Sequence, residues 1–260
     1  MVRSIAESAS IQTSESAVKD EGLEAVDQSG TEARAEAVPP SRDRALPPIL
    51  FAVFTGIVQH LGRVASVETV ASGRRLWVDF SGWDHRPAMG ESIAVDGCCL
   101  TVAKAGHEGA AVGFDVIQQT LEVTTLGGLA KGSAVNLEHS VTPATLLGGH
   151  IVQGHVDGVG RVVGVVRSAA EHRVRIVPPE ASAMSLIVEK GSIAVNGVSL
   201  TVAAVGPDWL EVALIPTTLS LTNLGSLEEG DGVNLEYDYI AKVVTNWLQH
   251  RDGGKRRDGL

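Results

Sequence analysis

Aromatic side chains are scarce in this chain, 4% of 260 residues, whereas Gly occurs 29 times among many Val and Leu. The cores are therefore expected to be aliphatic and the connections tight. No apolar run approaches the ~18 residues that a membrane-spanning helix needs, which excludes a span of that kind. Positive charge is also in short supply. With 21 Lys and Arg against 31 Asp and Glu, the formal charge is −10, and only Lys255, Arg256 and Arg257 cluster, on a tail. That balance speaks against a nucleic-acid partner. The two cysteines, Cys98 and Cys99, are adjacent. Neighbouring residues cannot close an ordinary disulfide, because the Cα spacing and Cβ directions are wrong, so the expected compartment is reducing and intracellular, the cytoplasm.

What the chain does contain is a copy of itself. Glu91–Gly106 (ESIAVDGCCLTVAKAG) returns as Gly191–Gly206 (GSIAVNGVSLTVAAVG) with ten of sixteen positions identical. Thr55–Val67 matches Gln153–Val165 at six of thirteen places, and Thr120–Glu138 matches Thr218–Glu236 at eleven of nineteen. An offset near 100 in a chain of this length makes two similar domains, each able to bury its own core. Two similar domains give two similar pockets, which can hold two copies of one ligand. The copies part at Asp96/Asn196, Cys98/Val198 and Cys99/Ser199, and these differences are where chemistry is expected.

Residues 1–52 are rich in Ser, Ala and Glu and end in Pro pairs, the composition of a disordered extension. They lack the apolar core of a secretory signal and carry acidic residues that suit a transit peptide poorly; an inert extension or an early start are the alternatives to a targeting segment. From Phe54 the chain turns to short apolar runs, at Phe54–Val58, Leu76–Phe80, Ser92–Val95, Leu100–Ala103, Ala111–Val116 and Val135–Glu138. The Asp96-Gly97 pair between two of them is a hairpin signal, since both turn positions tolerate positive φ. Six such strands predict a small closed barrel or a sandwich over 53–149, repeated over 150–238, with a helix intruding near Thr120–Leu126. After Asp238 the period changes: Ile240, Val243, Val244, Trp247 and Leu248 fall on one helical face. This stripe, in a helix over 239–250, packs either on another subunit or on a barrel flank, and the polar tail 251–260 is expected to fray.

The opening Phe54-Thr55-Gly56-Ile57-Val58, the two Ser-Ile-Ala-Val-x-Gly-x-x-Leu-Thr-Val blocks, Gly148-Gly149-His150-Ile151-Val152-Gln153-Gly154-His155 and Leu214-Ile215-Pro216-x-Thr218-Leu219 together resemble the riboflavin synthase family, alpha-subunit type. The resemblance runs from Phe54 to about Val244. It implies an all-β fold of two tandem six-stranded antiparallel Greek-key barrels with a C-terminal α-helix that helps build a homotrimer. It also implies a reaction, the exchange of a four-carbon unit between two 6,7-dimethyl-8-ribityllumazine molecules, without metal or redox cofactor. The active site would form where the N-terminal barrel of one subunit meets the C-terminal barrel of another. Lumazine synthase is a further candidate partner.

Such a dismutation needs an acidic methyl deprotonated on one lumazine, a nucleophile added to the other, and proton shuttling as adducts fragment. Holding two heterocycles face to face is worth roughly 7–11 kcal/mol, whereas one proton-transfer group is typically worth ~10²–10⁴-fold. His155 stands where the first copy has Ile57 and matches the family's histidine near the reacting rings; a histidine's ordinary pKa near 6.5 suits acid–base work. Its bland alternative is a histidine satisfied by a backbone carbonyl. His150, five residues earlier, points to the opposite face of an extended strand, so a metal pair is not expected and a supporting role is. Cys98 and Cys99 also face opposite ways, so only one can line a pocket; Cys99 matches the family's functional cysteine, although a buried Cys is often just a small hydrophobe.

The resemblance carries Ser92 over as a reactive-site serine acting through a bound water, since no base–orienter pair suggests a serine triad. It also carries over Ser199, Thr201 and Lys190 as second-barrel residues around ligand, with Thr101 the first-barrel copy of Thr201. Asp238 either orients a proton donor or caps a turn. The pocket linings implied are Gly56, Ile57 and Val58; Cys98, Cys99, Leu100 and Thr101; Asp115, Val116, Ile117, Gln118, Gln119 and Thr120; Gln153, Gly154 and His155; Gly197, Val198 and Ser199; and Ala213, Leu214, Ile215, Pro216, Thr217 and Thr218. Backbone donors suit lumazine carbonyls and ring nitrogens, and side chains near Asp115 suit ribityl hydroxyls. This chain departs from common family members at Gln119, Thr217, Asn196 and Leu146-Leu147, which bears on affinity and leaves the proton-transfer groups in place. The competing function is a non-catalytic lumazine or flavin antenna of the same fold.

Overall fold

The computed structural model describes residues 52–106, 111–168 and 171–254. The extension expected over 1–52 lies, except for Ala52, outside the described residues, as does the basic cluster Lys255–Arg257.

Strands form where apolar residues alternate. In the hairpin of β3 (Ser92–Val95) and β4 (Cys98–Ala105), Ile93, Val95, Cys98, Leu100 and Val102 are buried in one core, while Ser92, Cys99 and Thr101 face the other way, as a period of two requires. With β1 (His60–Val70), β2 (Gly73–Asp79), β5 (Ala111–Ile117) and β6 (Ala134–His139) they close an antiparallel barrel in the order β1-β2-β5-β4-β3-β6. The second half repeats it with β7 (Gly158–Arg167), β8 (His172–Val177), β9 (Ser192–Val195), β10 (Val198–Val205), β11 (Leu210–Ala213) and β12 (Gly232–Tyr237), in the same cyclic order. Register shifts fall at matching places, Val64/Ser66 and Val162/Gly164 on β1 and β7, Val102/Lys104 and Val202/Ala204 on β4 and β10. Such bulges add the local bend that a small closed barrel needs. Closure therefore decides between the barrel and the sandwich, and the chain is all-β with two tandem six-stranded barrels and a C-terminal helix.

Two local expectations are corrected. Phe54–Val58 is not a barrel strand: it contributes one bridge, Phe54 to Val152, and the ladder begins at His60. The cause is that Gly56 takes a φ of 74° and the N–H groups of Thr55 and Gly56 are given to a side chain, Glu138, instead of to a strand. The C-terminal helix, α3 (Tyr239–Gly254), also runs past 250 into the segment expected to fray. Between β5 and β6 the expected helix forms as α1 (Gln118–Val123) followed by a 3-10 turn at Thr125–Gly128, and α2 (Pro216–Leu221) is its copy.

The Asp96-Gly97 turn, with φ of 45° and 77°, meets its copy Asn196-Gly197, with φ of 46° and 77°. A Cβ on Gly97 would lie 2.6 Å from Gly197 N, so the close approach requires glycine. Around it runs a polar network. Asn136 Nδ2 donates to Asn196 O (2.9 Å), Asn234 Nδ2 to Asp96 O (2.8 Å), and Asn223 Nδ2 to Asp96 Oδ1 (2.8 Å). The barrels are thus joined by satisfied side-chain amides and by a small apolar cluster, Phe54, Ala94, Val152 and Ala194, while the two main cores remain separate.

α3 is docked by its polar side. Lys242 Nζ lies 2.6 Å from Asp157 Oδ2, and Lys242, Thr245, Asn246 and Gln249 line a cavity of about 380 Å³ against the 3-10 turn Ala181–Leu186 and Tyr237. The apolar stripe faces outward, with Ile240 61%, Val243 49% and Trp247 60% exposed. Of the two expected destinations for that stripe, the chain's own barrel flank is not one.

Candidate active site

Each half begins with a short lead-in, Thr55–Val58 or Gln153–Val156, that crosses to the other half's barrel. Phe54 N donates to Val152 O (2.7 Å) and Val152 N to Phe54 O (3.1 Å). Beyond this bridge Gly56 O accepts from Ser199 N (2.7 Å), and Gly154 O accepts from Cys99 N (2.9 Å). The contacts are as close as backbones allow: a Cβ on Gly56 would sit 2.6 Å from Ser199 Cβ, and one on Gly154 2.6 Å from Cys99 Cβ, each at a positive φ. Val58 accordingly packs against the second core and Val156 against the first. His155, although encoded in the second repeat, therefore accompanies the outer face of the first barrel.

A buried carboxylate fixes each crossing. Glu138 accepts from Thr55 N (2.6 Å), Thr55 Oγ1 (2.7 Å) and Gly56 N (3.0 Å). Glu236 accepts from Gln153 N (2.6 Å), Gly154 N (2.9 Å) and His155 N (3.0 Å). Burial raises the Glu138 carboxyl and pushes that of Glu236 up to about 7, against the lowering pull of those N–H donors. These two residues escaped the sequence reading. A signal was available: both close the repeated Val-Asn-Leu-Glu, at a strand parity opposite to the buried Val and Leu.

The expected functional side chains fall into two groups. On the first barrel, Cys99 is half-buried on β4 with the Ser92 hydroxyl as hydrogen-bond partner, beside Gly154 and its neighbour His155. Burial pushes the Cys99 thiol up, with Ser92 opposing, so it is held as a neutral thiol and not as an activated thiolate. Cys98 points into the barrel core, and burial drives its thiol to about 12. On the second barrel, His150 Nδ1 lies 2.7 Å from Ser199 Oγ. His150 Nε2 is buried without a partner, and desolvation holds this imidazole below its ordinary pKa while the charge of Asp238 pulls the other way. Asp238 also caps α3, its Oδ1 accepting from Ile240 N (2.8 Å) and Ala241 N (3.2 Å). Of the two roles considered for it, capping is the one its hydrogen bonds make.

Several of the remaining candidates are exposed or sit in turns. Lys190 sits at φ 64° in the turn before β9. Ile117 and Ile215 occupy equivalent positions before α1 and α2, 51% and 63% exposed, and Ile57 is 48% exposed. Three isoleucines left in solvent beside backbone donors suit a flat heterocycle. Asp115 is engaged already: Arg75 holds it with two bonds (2.6 and 2.9 Å) and keeps its carboxyl below the ordinary range, so an incoming hydroxyl meets an ion pair and not a free carboxylate.

A duplicated barrel whose two copies share one backbone crossing defines a protein with two like sites. Residues 55–140 and 153–238 each match the lumazine binding domain family. Riboflavin synthase of Mycobacterium bovis is 46% identical over 200 residues, covering 76% of this chain and 98% of that protein, and the Bacillus subtilis enzyme is 35% identical over 210 residues, covering 80% and 95%. Among solved structures, LumP complexed with 6,7-dimethyl-8-(1'-D-ribityl) lumazine superposes with a TM-score of 0.63 at 29% identity, covering 71% of this chain and 98% of LumP; LumP with riboflavin gives 0.63 at 32%. The chain belongs to the riboflavin synthase family.

Proposed function

We propose that this chain is a riboflavin synthase that moves a four-carbon unit between two 6,7-dimethyl-8-ribityllumazine molecules, giving riboflavin and 5-amino-6-ribitylamino-pyrimidinedione. The observation that carries this reading is the reciprocal crossing, which gives two sites of one backbone plan different side chains: Cys99 and His155 on one, His150 and Ser199 on the other. One plan binds one substrate twice. Different side chains let one copy donate and the other accept.

In this reading His155 exchanges the proton of the acidic methyl. Ser92 and the neutral Cys99 thiol orient the water or hydroxyl that adds to the partner ring. The neutral His150, bonded to Ser199, serves the second ring, and Asp238 acts as a positioning residue through its charge near His150. The pocket walls are Gly56–Val58, Cys98–Thr101, Asp115–Thr120, Gln153–His155, Lys190, Gly197–Ser199 with Thr201, and Ala213–Thr218. The outward stripe of α3 supports a homotrimer in which a first barrel of one subunit faces a second barrel of its neighbour. We place this enzyme in the cytoplasm, where lumazine synthase would be its supplier. Among the described residues no helix is long and apolar enough to cross a membrane.

The second reading, an antenna, is favoured by the LumP superpositions, yet the polar groups on both barrels are those a carrier has no need of. One assay separates them. Purified protein mixed with dimethyl lumazine and no added cofactor should develop riboflavin fluorescence; tight binding without turnover would establish the antenna instead.

A further inference from the structure

A second cleft, of about 660 Å³, opens on the seam between the barrels, and none of its lining residues belongs to the site above. β1 supplies Arg63, β7 and β8 supply Arg167 and His172, and α2 with the turn after it supplies Ser220 and its neighbours. The lining contains no carboxylate, in a chain where acids outnumber bases 31 to 21. Each guanidinium is anchored on a single backbone carbonyl: Arg63 Nη1 donates to Gly132 O (3.2 Å), and Arg167 Nη2 to Leu227 O. Among the described residues neither is paired with an acid. Asp79, opposite Arg63 in the β1–β2 ladder, accepts instead from the N–H and hydroxyl of Ser81.

Two further observations point to a ligand. His172 Nε2 is buried with no hydrogen-bond partner, an arrangement that costs energy unless something meets it. The repeat supplies a control as well. At the mate positions on the other side of the pseudo-twofold, Arg63 is matched by Arg161, but Arg167 by Thr69, His172 by Arg74 and Ser220 by Glu122. There Arg74 is bonded to Gly127 O (2.6 Å), and Glu122, which accepts from Gln118, stands at the place of Ser220. The cleft thus differs from its mate by a hydroxyl, Ser220, where the mate has an acid, and by an imidazole, His172, where the mate has a guanidinium.

We propose that this cleft binds a phosphate group, free or as the monoester of a small molecule, through Arg63 of one barrel and Arg167 and His172 of the other. Guanidinium forks and an imidazole N–H match phosphate oxygens in charge and direction. A cleft of this volume exceeds what a bare ion fills, so a small esterified body fits beside the phosphate. Because the three donors come from both barrels, occupancy would tie the barrels together.

Calorimetric titration of the full chain, in phosphate-free buffer of low ionic strength, with inorganic phosphate and separately with ribose 5-phosphate tests this. One saturable site per chain is expected. Arg167→Gln and, independently, Ser220→Glu should each weaken it by about tenfold or more, the loss appropriate to a charged hydrogen bond. Ser220 is exposed on α2, so the second variant leaves the fold intact should the first not. Arg161→Gln, on the mate rim, should leave the affinity unchanged, and none of the three should alter lumazine turnover. Tighter binding of ribose 5-phosphate identifies a monoester site, and equal binding a free-ion site. Absence of saturation, or equal weakening by Arg161→Gln and Arg167→Gln, overturns the proposal.

Discussion

Asp96 offers a test of how the two barrels are joined. It is 3% exposed in the seam network, and burial pushes its carboxyl up to about 7 even though Asn136 N and Asn223 Nδ2 donate to it. In the unfolded chain it titrates near 3.9. Its folded pKa is the higher one, so the native state holds the proton more tightly. Well below pH 4 the group is neutral in both states and costs nothing; as pH rises from about 4 towards 7 stability is lost; above 7 the penalty is complete. Three pH units at ~1.4 kcal/mol each make it about 4 kcal/mol. Asp96→Asn removes the charge. The shape is already tolerated, because the copy, Asn196, has a φ of 46° against 45° at Asp96 and its Oδ1 accepts from Asn234 N (2.8 Å). The variant should exceed the parent by only about 1 kcal/mol at pH 4.5 and by up to about 4 kcal/mol at pH 8.5, the latter roughly 8–16 °C in Tm for folded units of this size. Thermal melts by circular dichroism at the two pH values measure the difference, in which the other raised carboxyls cancel. A gain equal at both pH values, or a loss at pH 8.5, would refute the account of Asp96 as a buried acid neutralised by folding.

His155→Ala should lower turnover by ~10²–10⁴-fold, as loss of a proton-transfer group does, while Tm moves by only a few degrees, because the side chain is exposed; parallel losses of rate and Tm would sink the assignment. Gly154→Ala introduces a Cβ 2.6 Å from Cys99 Cβ at φ 75° and should cost about 1–3 kcal/mol of stability together with most activity, whereas Gly128→Ala, with nothing within 4 Å, should be silent in both assays. Glu236→Gln places an amide N–H against one of the three backbone donors it now accepts; turnover should fall at least about tenfold with secondary structure retained by circular dichroism. Val243→Glu with Trp247→Glu, both on the exposed face of α3, should convert a trimer to monomers in sedimentation velocity; truncating the helix would be a poorer test, since it also removes the Lys242–Asp157 pair.

The fold was legible because duplication prints each strand and turn twice. The Asp96-Gly97 and Asn196-Gly197 turns, the pairing of Ser92–Val95 with Cys98–Thr101 and the helix at Thr120 all follow from local alternation and turn chemistry. Phe54–Val58 was misread for the opposite reason. An apolar run next to a glycine has the composition of a strand, but its N–H groups go to Glu138, 82 and 83 residues away, and no local pattern announces such a partner. Glu138 and Glu236 were passed over for the same reason: an acid in a strand reads as solvent-facing until the segment that buries it is known.

The sequence by itself determined that there are two like domains, that their cores are aliphatic, and that Cys98 and Cys99 face opposite ways, because periodicity and repetition are properties of the chain. Only the tertiary structure decided which of the candidate residues lie near one another. Gly154, the neighbour of His155, meets Cys99, Ser199 takes His150 as its partner, and α3 turns its polar side to the barrel. Each follows from lead-in segments that cross between barrels at glycine contacts, an exchange between residues some 50 to 140 positions apart that no local pattern encodes.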